Sequence, residues 1–185
     1  MISTLVTALT LLTAPTASDP DPPEPTPDPF VSAGSTYLLV EGGYGSSFQG
    51  SGRKLGIGSV GLERFLWDGI SLGVAANGLW MDQPAGDTSG ASLQVVGRWY
   101  PTLGRSLTPY FHAGSGGIVT GEPVPNRGTR YNFSSDLGVG VSTGIADSAR
   151  LTLGARWNHI SNASLGDNNP GRDFIYGYAG LAVGL

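Results

Sequence analysis

The chain has 185 residues, enough for one full-sized domain but not for a separate second catalytic one. It contains no cysteine and two histidines, which excludes a disulfide framework, a thiol nucleophile and a multi-histidine zinc site, and its carboxylates show no calcium-loop spacing. The net charge is −4, and once the acids of a proline-rich stretch (Asp19, Asp21, Glu24, Asp28) are set apart, acids and bases balance without the basic stripe that nucleic acid requires. No metal, no cofactor and no nucleic-acid partner is therefore expected.

Residues 1–18 open with an apolar run (Ile2, Leu5, Val6, Leu9, Leu11, Leu12) followed by small residues, the pattern of a signal peptide and too short for a membrane-spanning helix. Residues 19–34 form a linker whose prolines lack the amide donor that a ladder needs. The remaining segment, 35–185, has no 18-residue apolar run and a single lysine, Lys54, and the mean hydropathy of the chain is +0.00. Apolar and polar residues that alternate along strands reconcile these facts: one face meets lipid, the other lines a lumen.

Strands are predicted at 35–47, 54–66, 70–82, 90–100, 107–119, 130–145, 149–163 and 172–185. Short connections at 67–69, 101–106 and 146–148 alternate with longer polar ones at 46–53, 83–89, 120–129 and 164–171, as in an eight-stranded antiparallel up-and-down transmembrane β-barrel. Five of the six prolines beyond the linker fall in these connections, and Pro109 lies near a strand start. Trp67, Trp99 and Tyr100 are expected at one membrane interface and Tyr44, Trp80 and Trp157 at the other. A soluble, lipocalin-like barrel is the competing fold.

Chemistry concentrates in Trp157-Asn-His-Ile-Ser-Asn-Ala and the segment running on to Asp173. Residues two apart on a strand share a face and lie about 6.6–6.8 Å apart, within reach for the His159 imidazole and the Ser161 hydroxyl. Asp173 opens the next antiparallel strand, where it returns beside His159 and is able to fix its tautomer. Leu151, Leu153, Ala155 and Trp157 share the phase of His159 and Ser161, so the candidates point to lipid, although bulky Phe174, Tyr176 and Tyr178 occupy the other phase of the last strand. Spacing alone also fits a polar cluster at a barrel rim. His112 is expected to be a lumen packing residue, and Arg53, Lys54, Arg127, Arg130 and Arg172 are expected at the same rim as the site, as solvated charges or as partners for phosphate.

His159-Ile-Ser161-Asn162-Ala163, with an acid twelve residues after the serine, resembles the lipid A 3-O-deacylase family of eight-stranded outer-membrane esterases. The resemblance implies a metal-free serine hydrolase that removes the 3-hydroxyacyl chain at position 3 of lipid A, in the outer membrane near the extracellular leaflet. Ser161 is then the nucleophile, His159 the general base and Asp173 the acid, one methylene shorter than the family's usual glutamate. Asn169 matches an asparagine of the oxyanion hole, and Asn162 is a second candidate donor. A non-enzymatic barrel, serving as an adhesin, anchor or structural envelope protein, is the alternative. The sequence leaves monomer and homodimer equally open.

Overall fold

In the computed structural model, which describes residues 29–49, 53–102, 106–166 and 168–185, eight strands close into an antiparallel barrel in chain order. They are β1 (Thr36–Ser47), β2 (Lys54–Trp67), β3 (Ile70–Met81), β4 (Thr88–Trp99), β5 (Leu107–Val124), β6 (Thr129–Ala146), β7 (Ala149–Ser161) and β8 (Arg172–Gly184). β1 pairs with β8, so no edge is left open. One end, the loop end, carries the connections 48–53, 82–87, 125–128 and 162–171. The other carries the tight turns, the C-terminus and Pro29. The expected signal peptide and most of the linker lie outside the described residues.

Alternation decides which residues meet lipid. Leu38, Val40, Val60, Leu62, Val74, Leu93, Val95, Leu137, Leu151, Leu153 and Leu181 are exposed on the outside around the whole circumference. Such a surface is tolerated only where lipid covers it, because patches beyond a few hundred Å² drive association in water. The barrel therefore spans a membrane, and the soluble alternative fails on this surface. Trp67 and Trp99 are exposed at the end of the tight turns, and Tyr44 and Trp80 lie toward the loop end.

Polar groups fill the middle of the lumen. Glu41 bridges Arg98 (2.6 Å) and Arg156 (2.7 Å), and Arg98 also meets Glu63 at 3.3 Å. Gln94 and Asn158 hydrogen-bond Asp136, and the Arg156 guanidinium lies 3.9 Å from the centre of the Tyr178 ring. His112 is buried in this interior, as expected. Phe174, Tyr176 and Tyr178 point inward, which leaves Asp173 on the outward phase. Gly140 and Gly154 make room for the paired Tyr110 and Tyr178 hydroxyls, since a Cβ at either would lie within 2.7 Å of a tyrosine hydroxyl.

Three expectations need correction. Tyr100 is not an interfacial aromatic. One residue past Trp99, it turns inward and joins Phe30, Phe65 and Tyr110 in an aromatic cluster that closes the turn end of the lumen. Phe30 and Val31 reach that cluster from a 3₁₀ turn, Pro29–Val31, so the end of the proline-rich stretch packs against the barrel. The connection expected at 120–129 is a hairpin extension, closed by a Val124↔Thr129 pair and a Gly128 N–H to Pro125 carbonyl bond. Pro123 consequently lies within β5. It is tolerated because β5 there has run past β4, whose pairing ends at Gly90↔Thr120. Finally, β7 ends at Ser161 rather than 163, stopped by left-handed backbone at Ala163 (φ 53°) and Ser164 (φ 62°).

Candidate active site

β7 delivers His159 and Ser161 to the lipid side at the loop end, and β8 returns Asp173 as the direct register partner of His159. His159 Nδ1 and Asp173 Oδ1 are 2.7 Å apart, with the carboxylate largely buried and the imidazole partly open. Against an ionised carboxylate Nδ1 carries the proton and donates, which leaves Nε2 as a free base. The ring is held on two sides. Trp157, two residues earlier on the same face, stacks on it at 5.7 Å between centroids and 25° between planes. Gly171 lies against its edge, where a Cβ would stand 3.3 Å from Cε1.

Gln49, from the β1–β2 connection, completes the shell around the acid. Its Nε2 donates to Asp173 Oδ2, and its Oε1 accepts the Asp173 backbone N–H at 3.1 Å. Nothing local in the sequence marks this residue, because it meets Asp173 only when β1 closes on β8.

The structure brings His159 and Asp173 together but does not join Ser161 to them. The Ser161 hydroxyl shares the outward face, yet among the described residues it has no hydrogen-bond partner within 3.5 Å. Such contacts often tighten only when substrate is bound. Directly after it, a Leu165 N–H to Asn162 carbonyl bond (3.0 Å) closes a turn with Ala163 and Ser164 at positive φ. That conformation costs non-glycine residues roughly 1 kcal/mol or more each, strain of the kind that collects at functional sites.

Asn162 is the clamp of this turn. Its N–H donates to Asn169 Oδ1, its Nδ2 to the Asn168 carbonyl, and its Oδ1 accepts the Ser164 N–H, each at 3.0 Å. The backbone N–H and the side-chain amide of Asn162 are thus both engaged within the loop. Asn169 is different: its oxygen is held by Asn162, while its Nδ2 has only a long 3.5 Å contact with Ser164 Oγ and stands in an exposed position. Asn168 anchors the loop to the neighbouring hairpin through the Arg127 carbonyl. Around the rim, Arg53 lies 3.9 Å from Asp82, Arg130 pairs with Glu122 at 3.2 Å, and Arg172 donates to the Gln49 carbonyl at 3.1 Å.

An open apolar groove starts beside this cluster on the outer wall. Small residues Gly97, Ala113, Ser115 and Ser135 form its floor, and Trp157 and Leu137 flank it. Its direction follows from strand stagger. The register row through His159, followed from strand to strand through β6 and on around the barrel, returns to β7 at Ala149, from 159 to 149 or ten residues lower. Toward β6 and β5 the row therefore descends into the membrane. Ser135, the register partner of His159, and Ser115 share a 2.9 Å hydroxyl contact on that path.

Comparison with known proteins identifies the family and the fold. The family model described as lipid A 3-O-deacylase (PagL) matches residues 57–182. The crystal structure of the outer membrane enzyme PagL is similar at a TM-score of 0.65 and 18% identity, covering 77% of this chain and 97% of that one. Neisserial surface protein A gives 0.56 at 18% identity over 80% and 95% of the two chains, and the N-terminal barrel domain of Pseudomonas aeruginosa OprF gives 0.52 at 15% over 83% and 98%. Among curated proteins nothing matches. With more than half of its length, residues 57–182, matched by the family model, this outer-membrane β-barrel belongs to the lipid A 3-O-deacylase (PagL) family.

Proposed function

We propose that the chain is a serine esterase that hydrolyses the ester-linked 3-hydroxyacyl chain at position 3 of lipid A. The observation that carries this reading is the position of the His159–Asp173 pair: a base held by an acid, on the lipid side of the wall, at the head of an apolar groove that descends into the membrane. A soluble substrate would not need a site facing that way. The loop end then lies at the extracellular leaflet, with residues 1–18 directing export.

In the first step Ser161 Oγ attacks the ester carbonyl and gives its proton to His159 Nε2, and Asp173 stabilises the imidazolium. The negative charge that develops on the carbonyl oxygen is met by Asn169 Nδ2. Asn162 serves it indirectly, by holding Asn169 Oδ1 and so aiming the amide. His159 next returns the proton to the departing sugar 3-oxygen, leaving the acyl chain on Ser161. Water, deprotonated by the same imidazole, then attacks the acyl carbon, and as the bond to Ser161 Oγ breaks the imidazole returns that proton to Oγ, releasing a 3-hydroxy fatty acid. The groove takes the acyl chain, whose hydroxyl lies close enough to its carboxyl end to meet Ser135 and Ser115.

A second reading, a non-enzymatic envelope barrel, draws on the open Ser161–His159 contact. Mass spectrometry of lipid A incubated in detergent with folded protein separates the two. Loss of one 3-hydroxyacyl chain with the wild type and not with Ser161→Ala is expected. Intact lipid A with both would favour the second reading.

A further inference from the structure

We propose that Gln49 is a positioning residue for the acid, acting on His159 through Asp173; this rests on the esterase reading. Asp173 is the second residue of β8, at the mouth of a long loop, where its own strand does not fix the rotation of a short carboxylate about its last torsion. Only one of its oxygens meets His159. Gln49 fixes the other. Its amide forms a closed ring with Asp173, donating to Oδ2 from Nε2 and accepting the backbone N–H at Oε1. The amide orientation follows from chemistry: the flipped form would set its oxygen against the carboxylate and its NH₂ against the backbone N–H.

Gln49 is in turn held at both ends of its own backbone. Its N–H donates to the hydroxyl of buried Ser47 at 3.1 Å, and its carbonyl accepts from Arg172 Nη1 at 3.1 Å. Carboxylate, imidazole and Gln49 are thereby held in one geometry. The seam where β1 closes on β8 is thus part of the catalytic support. A donor directed at Oδ2 fixes the carboxylate's rotation, so that Oδ1 stays aimed at the Nδ1 proton of His159.

Gln49→Ala is expected to lower kcat about ten- to a hundredfold with KM unchanged, because the base is misplaced while the groove is intact. A more discriminating test uses the donor logic. In Asp173→Asn the Gln49 donor claims the new amide's oxygen and turns its NH₂ toward His159, which imposes the wrong tautomer and a loss near 10⁴-fold. Adding Gln49→Glu, a side chain with acceptors only, draws that NH₂ away and presents the oxygen to His159. The double variant should therefore be at least about tenfold faster than Asp173→Asn alone. Heat-modifiable migration on gels identifies the folded fraction of each protein.

The proposal is overturned if Gln49→Ala keeps the wild-type kcat, or if the double variant is no faster than Asp173→Asn. A wild type without esterase activity sinks the esterase reading instead. In that event the hydrogen bond itself is read by NMR. Its far-downfield His159 Nδ1 proton is expected in the wild type and lost in Gln49→Ala, and an unchanged resonance would overturn the positioning role.

Discussion

Replacing Glu41 with alanine removes the carboxylate that joins two buried guanidiniums. Glu41 accepts from Arg98 at 2.6 Å and Arg156 at 2.7 Å, and none of the three side chains is more than 7% exposed. Arg98 keeps Glu63 at 3.3 Å. Arg156 keeps the Tyr178 ring but, among the described residues, no carboxylate within 4.0 Å. Breaking a buried pair by removing one partner costs about 3–5 kcal/mol, much of it from the charge left behind. Set against a typical total of about 5–15 kcal/mol, this is a large fraction of the barrel's stability. Urea unfolding in phospholipid vesicles, followed by the fluorescence of lipid-facing Trp67 and Trp99, should show a correspondingly lower midpoint with an unchanged slope. Removing the orphan as well, in Glu41→Ala/Arg156→Leu, should recover roughly half of the loss, since burying a charge without a partner is the dominant cost. Deacylation by the folded fraction should be unaffected, because the network lies in the lumen and the site lies outside. An unchanged midpoint in Glu41→Ala, or a double variant weaker than the single, would refute the reasoning.

Two further outcomes test the site from other directions. Asn169→Ala should lower kcat about 10²–10³-fold, the usual cost of one oxyanion donor, with little change in unfolding midpoint, as single-turnover release of fatty acid will show. Ala113→Trp fills the groove floor and should lower kcat/KM for lipid A about tenfold while leaving hydrolysis of a short-chain soluble ester unchanged, which separates acyl binding from chemistry.

Much of the fold is legible in the sequence because a β-strand's side-chain period is local. Alternation placed Leu151, Leu153 and Leu181 outside and seven of the eight strands within two residues of their observed bounds, β5 alone running on to Val124, and the same phase argument put His159, Ser161 and Asp173 together on the lipid side. The bulk of Phe174, Tyr176 and Tyr178 blurred the last strand, since a lumen that holds large aromatics opposite glycines looks apolar on both faces. Tyr100 misled for a related reason: one residue of alternation, not its type, decides whether an aromatic at a strand end lies in the interface or plugs the lumen.

The sequence by itself determined the strand number, the outward phase of the candidate site and the hairpin that returns Asp173 to His159, all of which follow from short-range periodicity and a single loop. Only the tertiary structure decided what depends on closure and stagger. Gln49 reaches Asp173 across 124 residues because β1 pairs with β8, and the groove descends from His159 because the register slips ten residues around the barrel, from 159 to 149. Neither leaves a local signal, since a closing seam and a stagger are properties of all eight strands together.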